Sequence, residues 1–340
     1  MVLKKILFGC CLVALVVVGS VIIFYQKVDS YLTQSLQLPT EQQFVTIHQG
    51  ESLRSVLRSF EDKSWLHPSI AAHLMHRFYP ALAKIKVGTY QVQSGETLHN
   101  VLQRFTAGDE YQFTITLIEG SRFHDVLKKL ATESHLKHEI QSMSEAEIAK
   151  RLSIDKPKLE GLFLAETYHY TAGTSDIDIL KRANQKLNSV LQHTWENRQN
   201  GLPLRSPYEA LTLASIIEKE TAIKDERQRI ASVFINRLNK RMRLQTDPTV
   251  IYGMGSRYDG NIRKKDLLTP TPYNTYVIRG LPPTPIAIVG RGAIHAALNP
   301  EVSDYLYFVA SGNGGHVFSK SLAEHNAAVK RYLKQLRTKK

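Results

Sequence analysis

Cysteine is nearly absent, with two residues, Cys10 and Cys11, in 340. Both lie in an apolar stretch near the N-terminus, so the rest of the chain has no disulfide to form and no thiolate to offer as nucleophile or metal ligand. Acidic residues are also short, 31 against 44 Lys and Arg, which leaves a net charge of +13. That balance points to an acidic partner such as nucleic acid, anionic headgroups or a polyanionic wall polymer, or simply to a soluble basic surface. The chain has no C2H2 spacing, RNP-like aromatic strand or bZIP basic region, so nucleic acid is not the expected partner. The Gly-rich turn near residue 312 lacks the GK[ST] ending of a phosphate loop. Ser153-Ile-Asp-Lys156 lacks the companion motifs of an S-x-x-K enzyme. His73/His76 and His135/His138 have helical spacing but no third ligand, so neither a metal nor a cofactor is expected.

Charge is missing altogether from Ile6 to Tyr25, about twenty residues, enough at ~1.5 Å per residue to cross a ~30 Å hydrocarbon core. Residues 6–25 therefore read as one transmembrane helix. Lys4 and Lys5 before it keep residues 1–5 in the cytoplasm and send the remainder across the membrane. A cleaved signal peptide is the competing reading, but its apolar region is usually shorter and ends in an A-x-A-like site not found after Ser20. Residues 26–43 are polar, contain Pro39, and read as a linker.

Beyond the linker comes a repeat. Gly50–Phe60, Gly95–Phe105 and Gly120–Leu130 align without gaps, each preceded by a short alternating strand. In each, glycine ends the strand, Ser52 or Thr97 can cap a helix, and the pairs Val56/Leu57, Val101/Leu102 and Val126/Leu127 face a core. The first two copies resemble the LysM module, which elsewhere binds N-acetylglucosamine chains; a subdomain that only packs is the plain alternative. Residues 44–155 are assigned to this LysM-like subdomain and 156–340 to a larger domain, both α+β.

In the larger region helices are expected over Ile177–Gln199, Pro207–Thr221, Asp225–Lys240 and Leu322–Leu336, with a strand at Tyr305–Ala310. Met242 to Asn299 is dense in Pro and Gly and reads as functional surface loops. Ser206-Pro207-Tyr208-Glu209 is a capping box with proline at the first helical position, which fixes the register of the helix it opens. That helix is apolar around most of its circumference yet carries Glu218 and Glu220. A carboxyl kept from water holds its proton, as a glycosidic general acid must. Pairing with Lys219, Lys224, Arg227 or Arg229 would instead make either residue structural, and the wheel does not choose between them.

ASIIEKET (214–221), LQTDPTVIYG (244–253), YNTY (273–276), GLPPTPI (280–286) and YFVASGNGGHVFS (307–319), in that order, resemble the endolytic murein transglycosylase (YceG-like) family over nearly the whole chain. The resemblance implies that Glu218 is the catalytic residue and Glu220 a neighbour shaping the site. It further implies an endolytic lytic transglycosylase that cuts nascent peptidoglycan between N-acetylmuramic acid and N-acetylglucosamine. One carboxyl suffices, protonating the leaving oxygen and then taking the muramic C6 hydroxyl proton to leave a 1,6-anhydro end. Ordinary glycosidases need two.

Candidate sugar contacts are Gln245, Thr246, Asp247, Tyr252, Asn274 and Tyr276, with Ser311, Asn313 and His316 on the turn after the strand; loop capping, core packing or a plain tight turn are the alternatives. Ala165 and Ile288-Val289 depart from the family pattern. The implied location is the bacterial inner membrane, single-pass, with a periplasmic catalytic region. Peptidoglycan synthases or divisome proteins are the partners which that place suggests. Rival readings are a muramidase-type hydrolase and a wall-binding anchor without turnover.

Overall fold

The structure is a computed structural model that describes residues 2–338. It is α+β, as expected, and divides into two compact units at Phe113/Thr114.

The first unit comprises α1 (Val2–Leu32), β1 (Gln42–Ile47), α2 (Leu53–Asp62), α3 (Ala71–Phe78), β2 (Gly88–Gln93) and α4 (Leu98–Ala107). α1 is long and apolar enough to cross a membrane. It does not stop at Tyr25, and residues 26–43 are not a free linker. Val28, Tyr31 and Leu32 share one helical stripe and are buried, with Leu36, in the core of this unit. The Tyr31 hydroxyl donates to Glu61 Oε1 at 2.8 Å, and Leu36 exchanges backbone bonds with Glu96 and Gly95. The stripe was hidden by the polar residues interleaved with it.

β1 and β2 pair antiparallel, Val45 opposite Tyr90, so the first two repeat copies form one sheet. Ser52 and Thr97 cap α2 and α4 by accepting from the N–H groups of Ser55 and Asn100. Gly50 and Gly95 hold φ of +86° and +84°, a conformation that side chains resist. Phe60, Tyr90 and Phe105 are fully buried between the helices and the sheet, each worth roughly 1.5–3 kcal/mol of transfer free energy.

β3 (Phe113–Thr116) starts at the division, and the second unit continues through α5 (Phe123–Ala131), α6 (Glu145–Arg151), β4 (Thr167–Tyr170), α7 (Asp176–Glu196), α8 (Pro207–Glu220), α9 (Arg227–Asn239), α10 (Asp247–Met254), α11 (Lys264–Leu268), α12 (Arg291–Leu298), β5 (Tyr307–Ala310), β6 (His316–Ser319) and α13 (Leu322–Thr338). The division falls earlier than the 155/156 boundary read from the change in sequence texture. The cause is the third repeat copy, which packs against elements C-terminal to it. β3 pairs with β4, the Phe123 and Phe163 rings stack 5.2 Å apart, and the Phe123 N–H donates to Glu160 at 2.8 Å.

α8 is the centre of this unit and packs against α7, α9, α10 and α12. The stretch from Met242 to Asn299 is not all surface: Thr284 to Gly290 is buried. Within this segment, Ile288 and Val289 bond to two other backbone segments. Gly120 N–H donates to Ile288 O at 3.0 Å, Ile288 N–H to Ser121 O at 2.9 Å, and Ala165 N–H to Val289 O at 2.8 Å. Ile288, Val289 and Ala165 are thus core positions here. β5 and β6 form a half-buried hairpin, whereas the apolar YLYFVA run has the pattern of a buried strand.

Candidate active site

α8 begins as its sequence dictates. Ser206 Oγ accepts from the Glu209 N–H at 3.2 Å, and Pro207 occupies the first helical position. From Ala210 to Glu218 every residue is buried, and the helix delivers its last turn with both carboxyls attached. Two residues apart on a helix are about 200° apart around its axis, so Glu218 and Glu220 leave on opposite sides.

Glu218 enters a closed setting, its side chain 2% exposed. Oε1 accepts from Arg227 Nη2 at 2.8 Å and Oε2 from the Gly290 N–H at 2.9 Å. Gly290 is the residue that opens α12, so the carboxyl faces the positive end of that helix. The same Arg227 Nη2 donates to Glu119 Oε2 at 2.9 Å, and the Glu119 side chain is 45% exposed. Burial pushes the Glu218 carboxyl above its ordinary range. The Gly290 N–H and Arg227 oppose this, and the nearby Glu119 charge reinforces it.

Glu220 faces an open cleft of about 350 Å³ lined by Gln245, Thr246, Asp247, Tyr276, Tyr307 and His325, among others. Its carboxyl accepts from the Thr246 hydroxyl, and the Tyr276 hydroxyl donates to Asp247 Oδ1 at 2.7 Å. Burial pushes Glu220 up to about 7. The Asp247 charge adds to that rise, while the Thr246 hydroxyl, His316 and Arg237 oppose it. Arg237 organises the cleft wall, donating to Leu306 O at 2.6 Å and Leu244 O at 2.7 Å. A carboxyl with a raised folded pKa stabilises fully below its unfolded value, and that contribution is lost as pH rises through the folded value. Here the window runs from 4.5 to about 7. Glu220→Gln is therefore expected to stabilise the chain by about 1 kcal/mol or more at pH 8 relative to pH 5, read from melting curves at both pH values.

The structure brings Gln245, Thr246, Asp247 and Tyr276 together, but around Glu220; Glu218 leaves α8 on the other side. Tyr252 packs on Tyr273, ring centroids 4.7 Å apart, under the cation of Arg122. Asn274 is 1% exposed. Its amide donates to the carbonyls of Asp266, Leu267 and Thr269, and its carbonyl oxygen accepts from Tyr276 N–H. Ser311 Oγ accepts from the N–H groups of Asn313 and Gly315, shaping the turn on which Asn313 is exposed. His316 pairs with Glu226 through Nδ1 at 2.7 Å and its own N–H at 3.0 Å. Among the described residues no group of three or more His, Cys, Asp or Glu is arranged to hold a metal ion.

Glu119, Gly290 and Arg237 carry no site reading in the sequence, and Tyr307 reads there only as part of a strand and a motif. A signal existed for one of them. The residue before the repeat glycine is Gln49 in the first copy, Ser94 in the second and Glu119 in the third, the copy that belongs to the second unit.

The model of the YceG-like family matches residues 45–331. The chain belongs to that family. A relative from Bacillus subtilis (strain 168) named endolytic murein transglycosylase is 34% identical over 324 residues, covering 90% of this chain and 86% of its own length. A Streptococcus pneumoniae (strain R6) protein of the same name is 28% identical over 290 residues, 73% of this chain; the match spans about half of that longer relative, 52%. A crystal structure of a YceG-like protein from Listeria monocytogenes is similar over 84% of this chain and 98% of that one, with 30% identity and a TM-score of 0.49. Within this YceG-like chain, the site offers two protonatable carboxyls on one helix. One is held by an arginine and a helix N-terminus, and the other is open to a polar, aromatic cleft.

Proposed function

We propose that this protein is an endolytic murein transglycosylase that cleaves β-1,4 bonds between N-acetylmuramic acid and N-acetylglucosamine, with Glu218 as its general acid and base. One observation carries the assignment: the Glu218 carboxyl is shut from water at the end of an apolar helix, with Oε1 on Arg227 and Oε2 on the Gly290 N–H, a setting in which burial raises its proton affinity against both partners. The names of the relatives support the reaction class.

The step balances with a single group. Glu218 gives its proton to the leaving glycosidic oxygen as the C1–O bond breaks. As carboxylate it then takes the proton of the muramic C6 hydroxyl while the C6 oxygen bonds to C1, and the enzyme returns to its starting form. Of Glu218, Arg227 and Glu119, Glu119 is the open member, so sugar reaches Glu218 from the Glu119 side. The cleft of Gln245, Thr246, Asp247 and Tyr276 offers hydroxyl, amide and aromatic groups to further sugars.

A second reading makes Glu220 the acid. It is favoured by that cleft, which Glu220 lines directly, and by a carboxyl poised near neutrality.

With α1 in the inner membrane and Lys4 and Lys5 inside, the catalytic unit works in the periplasm on glycan close to its site of synthesis. Peptidoglycan synthases and divisome proteins are the partners this location offers. Mass spectrometry of murein digested by the full chain is expected to find 1,6-anhydromuramic ends. Reducing ends would replace this reading with a hydrolase that consumes water, and no new ends with a wall-binding anchor.

A further inference from the structure

We propose that Glu119, through the arginine it shares with Glu218, keeps Glu218 in its proton-bearing form and is a positioning residue of the reaction. The inference rests on Glu218 being the acid.

The geometry is a trio with one cation and two carboxyls. Arg227 Nη2 sits 2.9 Å from Glu119 Oε2 and 2.8 Å from Glu218 Oε1. A buried arginine facing Glu218 alone would favour a neutral ion pair with both partners charged, and burial alone would be left to hold a proton on the acid. Adding Glu119 gives the trio a net negative charge when all three are ionised, and one proton relieves it. Which carboxyl takes that proton depends on exposure. The Glu119 side chain, at 45%, is in contact with water, while that of Glu218, at 2%, is not, and burial penalises the charged form of Glu218. The proton stays inside, and a structural ion pair becomes an acid.

Two glycines make the seat. A side chain at Gly290 would drive its Cβ into Glu119 Oε1, and one at Gly292 would drive its Cβ into Arg227 Nη1, each closer than unbonded atoms approach. Among the described residues the Arg227 Nε is buried with no hydrogen-bond partner, while Nη2 bonds both carboxyls. Neither neighbouring cation forms an ion pair with Glu119 or Glu218 among the described residues. Lys219 Nζ donates to the Gly120 carbonyl at 3.1 Å, and Arg291 lies 3.6 Å from Glu166. Burial of Glu218 supplies most of its raised proton affinity, and the Glu119 charge adds to it.

The test uses the full chain in detergent, comparing wild type, Glu119→Gln and Glu119→Asp. Removing the Glu119 charge lets Arg227 pull Glu218 toward its ionised form, so Glu218 loses its proton at lower pH. The alkaline limb of kcat/KM for murein cleavage is expected to move down by about one pH unit, about a tenfold loss on that limb with the acid limb unchanged. Glu119→Asp should recover part of the shift. An independent readout is the infrared C=O stretch of the protonated carboxyl that disappears in Glu218→Gln, whose titration midpoint should fall equally in Glu119→Gln. An unmoved midpoint, a midpoint moved upward, or a loss uniform across pH would overturn the proposal. Were the infrared midpoint to move while Glu218→Gln still cleaved murein, the coupling would stand and the catalytic assignment would fall.

Discussion

Glu218→Gln should lower the rate of murein cleavage by roughly a thousandfold, since proton transfer by one positioned general acid in the rate-limiting step is worth about 10²–10⁴. Glutamine has the same shape and still presents an oxygen to the Gly290 N–H, so the fold and the cosedimentation of the variant with murein should survive. Glu220→Gln leaves the cleft wall in place and should raise KM by up to about tenfold with kcat nearly kept, because it removes a contact made equally in ground and transition states. The deciding measurement is release of anhydro ends by the two purified variants, side by side. Near-normal release by Glu218→Gln sinks the assignment. Loss confined to Glu220→Gln would move the chemistry to the cleft on the other side of α8.

Arg227→Met should cost about 3–5 kcal/mol at alkaline pH, the usual penalty for stripping one partner from a buried ion pair. Both partners are enclosed, at 7% and 2% exposure, so solvent screens little of it. The sign with pH is set by Glu218. Deprived of its cation, the carboxyl has a still higher folded pKa, so its contribution is intact below the ordinary carboxylate range and is lost as pH rises through that value. The gap between wild type and variant should therefore widen from pH 5 to pH 8 in denaturant titrations. A gap that is constant, or that closes as pH rises, would show that the pair is not what couples Glu218 to stability.

Local signals carried the architecture a long way. The repeat glycines, the Ser52 and Thr97 caps, and the Ser206-Pro207 start of α8 each act within a few residues of themselves, and each appears where its chemistry demands. Signals split across distance did not carry. The Val28, Tyr31 and Leu32 stripe reads as linker until β1, β2 and their helices supply a core for it. The third repeat copy looks like its siblings, yet its strand finds β4 instead of a repeat partner. Thr284 to Gly290, rich in proline and apolar residues, passes for surface loop because its two neighbours in space, Gly120–Ser121 and Leu164–Ala165, are more than a hundred residues away.

The sequence alone determined that an apolar helix would carry two acids, which residues would begin it, and that no thiol could do the chemistry. Those outcomes depend on propensity, capping and composition, all of which act locally along the chain. Only the tertiary structure decided what the two acids face. Hydrogen bonds and burial are properties of space, so it took folding to set Glu218 against Arg227, Gly290 and Glu119, and to give Glu220 the cleft of Gln245, Thr246, Asp247 and Tyr276.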